Sequence, residues 1–196
     1  MISKLLLAVQ ESIMRSDELG SPRTSELINS YYDIRAGIGF NKTPSNYGAF
    51  PTDPYSHTPK KSGAKQPGMT GQVKEEIITR LGELGISIIG GSIHINPRFL
   101  KKKELLQEKT DFTYIDHSGN KKSAAADPQT LIFTYCGVPF RIIQSQNDYL
   151  IVLKSNKSSR EDKKRILTRE ESLSIFKREG IISEIQIGMK QEEFID

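Results

Sequence analysis

The sequence has few cysteines and no long apolar runs, which are the features typical of disulfide-bonded and membrane proteins. It contains one cysteine, Cys136, among 196 residues, so an internal disulfide is excluded and a reducing compartment is expected. No stretch approaches the ~20 consecutive apolar residues that cross a bilayer. The apolar run at residues 5–9 ends at Glu11 and is too short for the core of a signal peptide. These absences predict a cytoplasmic protein with no membrane partner.

The sequence also has no large excess of positive over negative charge. The formal net charge is +4, with 27% charged and 36% hydrophobic residues, which is typical of a globular chain. The basic tracts at residues 101–103 and 154–165 lack the interleaved aromatics of a single-strand binding platform. We interpret them as solvated loops and predict no nucleic-acid partner. A basic nucleic-acid-binding protein remains the least favoured alternative.

Sequence signatures of cofactors are missing as well. Gly68 and Gly71 precede a helical pattern, but their spacing and the Gln-Val that follows differ from a phosphate-binding loop. The three histidines and the cysteine do not have the spacing of a zinc site. The sequence therefore predicts neither a cofactor nor a metal.

The first 85 residues combine helices with one long loop. Apolar residues at helical spacing predict a helix that includes Leu6 and Ile13, and Ser21-Pro22 predicts the start of a second helix that ends at Gly37. A third helix is predicted over residues 71–84, with Val73, Ile77, Leu81 and Leu84 in one apolar stripe. At 100° per residue this stripe places Lys74 near the packed face, while Glu75 and Glu76 project away from it.

The loop between the second and third helices is unusual in composition. Residues 37–71 hold six glycines and five prolines with no apolar period. Connections longer than ~12–15 residues are uncommon in compact domains and are usually functional. This one also carries Phe40, Tyr47, Phe50 and Tyr55. Because aromatic side chains are costly to leave in water, we expect the loop to pack against other parts of a site.

From residue 86 the pattern changes to β-strands. Alternating apolar residues around Gly90-Gly91 predict a hairpin, and four further β-type runs follow. Cys136 falls within one run and is predicted to be a small buried hydrophobe, while His94 is predicted to point outward. A helix is expected at about 167–180, where Thr168 and Glu171 have the spacing of a capping box. The fold class is α+β, with 86–196 predicted to form a β-sandwich.

Three segments resemble a known group of proteins. They read SYYDIRAGIGFNKTPSNYGAFPTDPYSHTP, GAKQPGMTGQVKEEIITRLGELG and GSIHINPRFL. Together they resemble the C-terminal end of carbohydrate-active enzymes built on a six-hairpin α/α barrel, including inverting glycoside hydrolases and disaccharide phosphorylases that append a β-sandwich. Phrases close to the first two are similar to large bacterial proteins of unassigned activity in that superfamily.

The resemblance implies that residues 1–85 are the terminal helices and loop of an α/α toroid. A complete barrel needs twelve helices, roughly 350 residues, so the sequence predicts a truncated barrel whose N-terminal portion would be a partner. A carbohydrate would be the substrate, and the fragment alone is expected to be inactive. The alternative is a non-catalytic carbohydrate-binding or interaction module.

Inverting cleavage of a glycosidic bond needs two carboxyl groups, ~6.5–9.5 Å apart, on opposite faces of the sugar. Asp53, held between two prolines, and Glu75, in the first turn of the third helix, are the candidate catalytic residues. Each also has a structural interpretation. Asp53 before proline readily forms an Asx-turn, and Glu75 complements the helix dipole for ~0.3–1 kcal/mol.

Substrate contacts are predicted from the aromatic and polar residues around these carboxylates. Aromatic rings could stack on a sugar, a loop histidine could bind a hydroxyl, and polar groups at the helix start could bind hydroxyls or phosphate. The alternatives are loop packing, a structural hydrogen bond and a lysine whose stem lies along the apolar surface. The candidates are Tyr47, Phe50, Tyr55, His57, Gln66, Gln72 and Lys74.

Overall fold

The structure, a computed structural model, describes residues 2–37 and 73–195. These residues form a mixed α+β protein, as the sequence predicts. The chain divides into two compact units, residues 1–82 and 83–196. The sequence-based boundary at residue 85 lies three residues later, at the end of the third helix.

The first unit begins with a helical hairpin. Helix α1 spans Ile2–Glu18 and helix α2 spans Thr24–Gly37. Gly20 closes α1 in the left-handed region with φ 62°, and Ser21 N–H donates to Ser16 O at 2.9 Å, which is a Schellman ending. The hydroxyls of Ser16 and Thr24 lie 2.8 Å apart across the hairpin.

Helix α3 spans Val73–Glu83, in agreement with the predicted helix, but its packed face differs from the prediction. Ile77 is 57% exposed and Ile78 is 48% exposed, whereas Glu75 and Thr79 are buried. The predicted orientation of the helix is therefore wrong. The physical reason is that Gln10 of α1 contacts the opposite side of α3, where its side chain donates to the Thr79 carbonyl at 2.7 Å.

The second unit contains nine strands and one helix in the described residues. Two pairs form separate antiparallel hairpins, and the other five strands form one sheet. The strands are β1 Ile86–Ile89, β2 Ser92–Ile95, β3 Thr110–Ile115, β4 Lys121–Ala126, β5 Thr130–Tyr135, β6 Val138–Ser145, β7 Tyr149–Lys154, β8 Ser159–Asp162 and β9 Ile182–Lys190.

The five-stranded sheet has the order β5-β6-β9-β7-β8. Strands β6 and β9 are parallel, and every other neighbouring pair is antiparallel. The sequence predicts two facing sheets of a sandwich. The described strands instead form this one larger sheet together with the hairpins β1-β2 and β3-β4.

One face of the large sheet carries the core of the second unit. Alternation along the strands brings their apolar residues to this face. Helix α4, Arg169–Phe176, contacts β2 and β9, and its Ser172 hydroxyl accepts a hydrogen bond from the Ile93 N–H at 2.9 Å. The fully or nearly fully buried residues of the sheet are Val138, Phe140, Ile142, Leu150, Val152, Ile185, Ile187 and Met189.

The turn between β5 and β6 corrects a sequence-based prediction. Cys136 and Gly137 are the two turn residues, with φ angles of 52° and 81°, between the paired residues Tyr135 and Val138. Positive φ at both positions is the signature of a type I′ hairpin turn. Cys136 is therefore a half-buried turn residue and not the buried strand residue predicted from the apolar run around it.

Candidate functional site

The first turn of α3 places one predicted catalytic residue inside the first unit. Glu75 is only 5% exposed, and its Oε2 atom is buried without a hydrogen-bond partner among the described residues. Thr79 lies one turn further along the same face, with its hydroxyl donating to the Glu75 carbonyl at 2.8 Å. A buried carboxylate oxygen without a partner is costly, so this position is chemically unusual.

Gln10 is the centre of the contact between α1 and α3. Besides its hydrogen bond to Thr79, its amide nitrogen lies 3.5 Å from the hydroxyl of Tyr31 on α2. A Cβ atom added to Gly82 would lie 2.3 Å from the Gln10 side-chain oxygen, so the helices approach closely because residue 82 has no side chain. Sequence reasoning missed Gln10, because its partners Thr79 and Gly82 lie about 70 positions further along the chain.

Tyr31 is fully buried in the same region. Burial raises the pKa of its phenol, and the positive charge of Arg35 opposes that effect only in part. Arg35 also donates to the Tyr31 hydroxyl at 3.4 Å. The face between the three helices is therefore polar as well as buried, which differs from the wholly apolar stripe predicted for α3.

The predicted site residues divide into two groups. Of the nine, Lys74 and Glu75 lie in α3. Lys74 is exposed, so its predicted position near the packed face is wrong, because that face is the one that carries Glu75. The other residues lie outside the described residues, and their roles stay predictions: Tyr47, Phe50, Asp53, Tyr55, His57, Gln66 and Gln72.

Two arginines of the second unit form internal ion pairs with carboxylates. Arg160 on β8 donates to both carboxylate oxygens of Glu171, at 2.9 and 2.7 Å, and to Asp162 at 2.9 Å. Arg165 contacts Glu193 and, at 3.5 Å, Asp148. These two arginines belong to the basic tract at residues 154–165, so part of its positive charge is neutralised within the fold.

A further ion pair lies within the large sheet, and its arginine also hydrogen-bonds to the β3-β4 hairpin. Arg141 on β6 donates to Glu184 on β9 at 3.2 Å and to the carbonyl of Ala125 on β4 at 2.9 Å. Gln186 donates to the same Glu184 oxygen at 2.7 Å. Because these donors and acceptors satisfy one another, we interpret this network as structural.

The described histidines sit in structural positions. His94 on β2 is half-buried and forms a short β-bridge with Ile166. The imidazole of His117 lies against Gly180, where an added Cβ would be 2.3 Å from its Nε2 atom. Within residues 2–37 and 73–195 no group of three or more His, Cys, Asp or Glu side chains is placed to bind a metal ion.

Comparison with known proteins adds no family to these observations. No family model and no curated protein sequence matches the chain. Across the part of the chain that the structure describes, no helix is long and apolar enough to cross a membrane. Function must therefore be argued from the residues and their geometry.

Proposed function

We propose that the chain is the C-terminal portion of a carbohydrate-active enzyme of the six-hairpin α/α type. Its ligand would be a saccharide with a glycosidic bond, bound between the residue 40–72 loop and the first turn of α3. Support comes from the three sequence segments that resemble such enzymes and from the order of helical hairpin, aromatic loop, third helix and β unit.

The observation that carries the proposal is the buried carboxylate of Glu75. Buried acidic side chains are nearly always paired, so a buried carboxylate oxygen without a hydrogen-bond partner among the described residues calls for an explanation such as a bound ligand. Glu75 lies in the first turn of the helix that follows the aromatic loop in sequence. Glu76, its neighbour, is exposed, so the burial is a property of this position and not of the acidic pair.

The chemistry proposed for this site is inversion at the anomeric carbon. One carboxyl group would protonate the leaving oxygen, and another would activate water or be replaced by phosphate. Asp53 and Glu75 are the candidates for these roles in this chain. Both hydrolysis and phosphorolysis are compatible with these residue types. A full α/α barrel has twelve helices, whereas the described residues before β1 form three, so we expect the chain alone to bind saccharide with little or no cleavage.

Calorimetric titration of the purified chain with a panel of oligosaccharides tests the binding. We expect Glu75→Gln to weaken saccharide binding by about tenfold, because a charged hydrogen bond contributes ~1.5–3 kcal/mol. Glu76→Gln is the matched control in the same helical turn and should leave affinity unchanged. Asp53→Ala and Tyr55→Ala should abolish binding if the loop forms part of the pocket.

An activity assay tests the expectation that the chain does not act alone. The wild-type chain is incubated with the same oligosaccharides, with and without inorganic phosphate, and released sugar is measured. Robust turnover would contradict the idea of an incomplete barrel while supporting the carbohydrate assignment. Saccharide binding that is unchanged in Glu75→Gln, Asp53→Ala and Tyr55→Ala would overturn the proposed location of the pocket.

A further inference from the structure

An open groove of about 840 Å³ lies beside the start of β7. Its volume falls within the ~300–1,000 Å³ typical of small-ligand sites. It lies wholly within the second unit and shares no residue with the site proposed above. The residues that line it are Asn147, Asp148, Tyr149, Glu161, Asp162, Lys163 and Lys190.

The single aromatic ring of the groove is held in a fixed position. Tyr149 pairs with Gly188 across the β7-β9 ladder. A Cβ atom on Gly188 would lie 2.3 Å from two ring carbons of Tyr149. The ring therefore packs directly onto the glycine backbone, and part of its surface stays accessible. A rigid, partly exposed ring offers a flat apolar surface, with a polar hydroxyl at one end.

Several polar groups around this ring are free to bind a ligand. The side chains of Asn147, Glu161 and Lys163 make no hydrogen bond or ion pair with another described residue, and all three are exposed. By contrast, Asp148 and Asp162 are paired with arginines. The groove thus presents free donors and free acceptors together with one aromatic ring.

This combination indicates the class of ligand. Two lysines without a carboxylate would favour an anion, and carboxylates without lysines would favour a cation. Here an amide, a free carboxylate and two ammonium groups surround a ring, so neither charge sign dominates. A neutral ligand with an apolar face and many hydroxyl groups matches this pattern. The C–H face of such a ligand would stack on the tyrosine ring, and its hydroxyl groups would hydrogen-bond to the polar side chains.

We infer that the groove at Tyr149 is a second saccharide-binding site, located in the β unit and separate from the loop and α3. The inference rests on the proposed function for the choice of a carbohydrate, and it adds a binding site that would hold an oligosaccharide without cleaving it. Tyr149 is the stacking residue, and Glu161 and Asn147 bind the hydroxyl groups. Lys163 and Lys190 supply further donors.

Nuclear magnetic resonance on the ¹⁵N-labelled full chain tests this inference. The probes are maltotriose, cellotriose and laminaritriose, each titrated to its solubility limit. We expect at least one to shift the backbone amide signals of residues 147–149, 161–163 and 190. Glu161→Gln should weaken binding at this site by about tenfold, the loss of one charged hydrogen bond. Glu170→Gln, an exposed glutamate on α4, is the matched control.

Two variants separate stacking from folding. Tyr149→Ala removes the ring and should abolish the shifts, whereas Tyr149→Phe keeps the ring and should retain most of the affinity. Because Tyr149→Ala also uncovers Gly188 and could unfold the sheet, Glu161→Gln on the exposed edge strand β8 provides the second, independent test.

The outcomes distinguish this site from the loop site. Shifts confined to residues 38–72 would overturn the inference and leave the proposed function standing. Shifts confined to the groove would support the inference and count against the loop. Unchanged spectra with all three sugars would overturn the inference, and equal shifts with inorganic phosphate would replace it with an anion site.

Discussion

One carboxylate oxygen of Glu171 accepts hydrogen bonds from two directions, from the backbone N–H of Thr168 at 2.9 Å and from the Arg160 guanidinium at 2.7 Å. The first bond belongs to the capping box of α4, in which the Thr168 hydroxyl also accepts from the Glu171 N–H at 3.2 Å. The second ties the helix start to edge strand β8. A single buried side chain therefore fixes both the helix cap and the edge of the sheet.

Replacing Glu171 with alanine should destabilise the second unit by about 2–4 kcal/mol, because it removes both hydrogen bonds between Glu171 and the Arg160 guanidinium and leaves the Thr168 N–H without its acceptor. Urea unfolding followed by circular dichroism measures the change. Glu170→Ala, an exposed residue in the same helical turn, is the control and should change stability by no more than ~0.5 kcal/mol. Equal effects of the two substitutions would contradict this role of Glu171.

The same carboxylate predicts a pH dependence. Burial by itself would raise the pKa of Glu171, but hydrogen bonds from Arg160 and Thr168 outweigh it and hold the pKa below its ordinary value. A lowered folded-state pKa gives stability that is complete above the unfolded value of about 4.3 and is lost as pH falls through the folded value. The difference in unfolding midpoint between the wild type and Glu171→Gln should therefore shrink below about pH 4.3, and a constant difference would contradict the prediction.

Gly85 should be intolerant of any side chain. It has φ 74°, and an added Cβ would lie 2.1 Å from the backbone nitrogen of Pro97. Gly90, with φ 58°, has no atom within 4 Å of its Cβ position and is the matched control. Gly90→Ala should cost only the left-handed strain of ~1–2 kcal/mol, while Gly85→Ala adds a backbone clash and should cost at least ~3 kcal/mol. Thermal unfolding of both variants measures the difference.

Cys136 should be replaceable with a gain in stability. Asparagine is favoured at the first residue of a hairpin turn when φ is positive there. Cys136→Asn should therefore stabilise the β5-β6 hairpin by about 0.5–1 kcal/mol. Cys136→Val should destabilise it, because a β-branched residue fits poorly at φ 52°. Denaturant midpoints compare the three proteins. A loss of stability in Cys136→Asn would indicate that the thiol contributes a contact that asparagine cannot replace.

Local sequence signals predicted the elements of the fold well. Gly90-Gly91 marks the β1-β2 hairpin, and Thr168 with Glu171 marks the start of α4, each where the structure has it. These signals act over a few residues, through backbone angles and side-chain caps, so they can be recognised without knowing the partner element. The Cys136-Gly137 turn was missed because cysteine is an uncommon residue at a left-handed position and apolar residues surround it.

Features that depend on distant partners were not predicted. The strands β6 and β9 are separated by 36 residues of intervening chain and still pair in parallel. Likewise the groove at Tyr149 brings together β7, β8 and the end of β9, and its key contact is between a tyrosine and a glycine 39 positions apart. Nothing in the local pattern of either segment indicates the other.

The sequence by itself determined where the helices and the first β-hairpin lie, that the protein is α+β, and which carboxylates and aromatics deserve testing. Only the tertiary structure decided which side of α3 is packed. By periodicity the isoleucines should face inward, yet Glu75 and Thr79 are buried and Ile77 is exposed. The physical reason is that Gln10 and the side-chain-free surface at Gly82 let α1 approach the polar side of the helix. Because of that contact, Glu75 is a buried carboxylate and not the exposed helix-dipole residue that the sequence predicts.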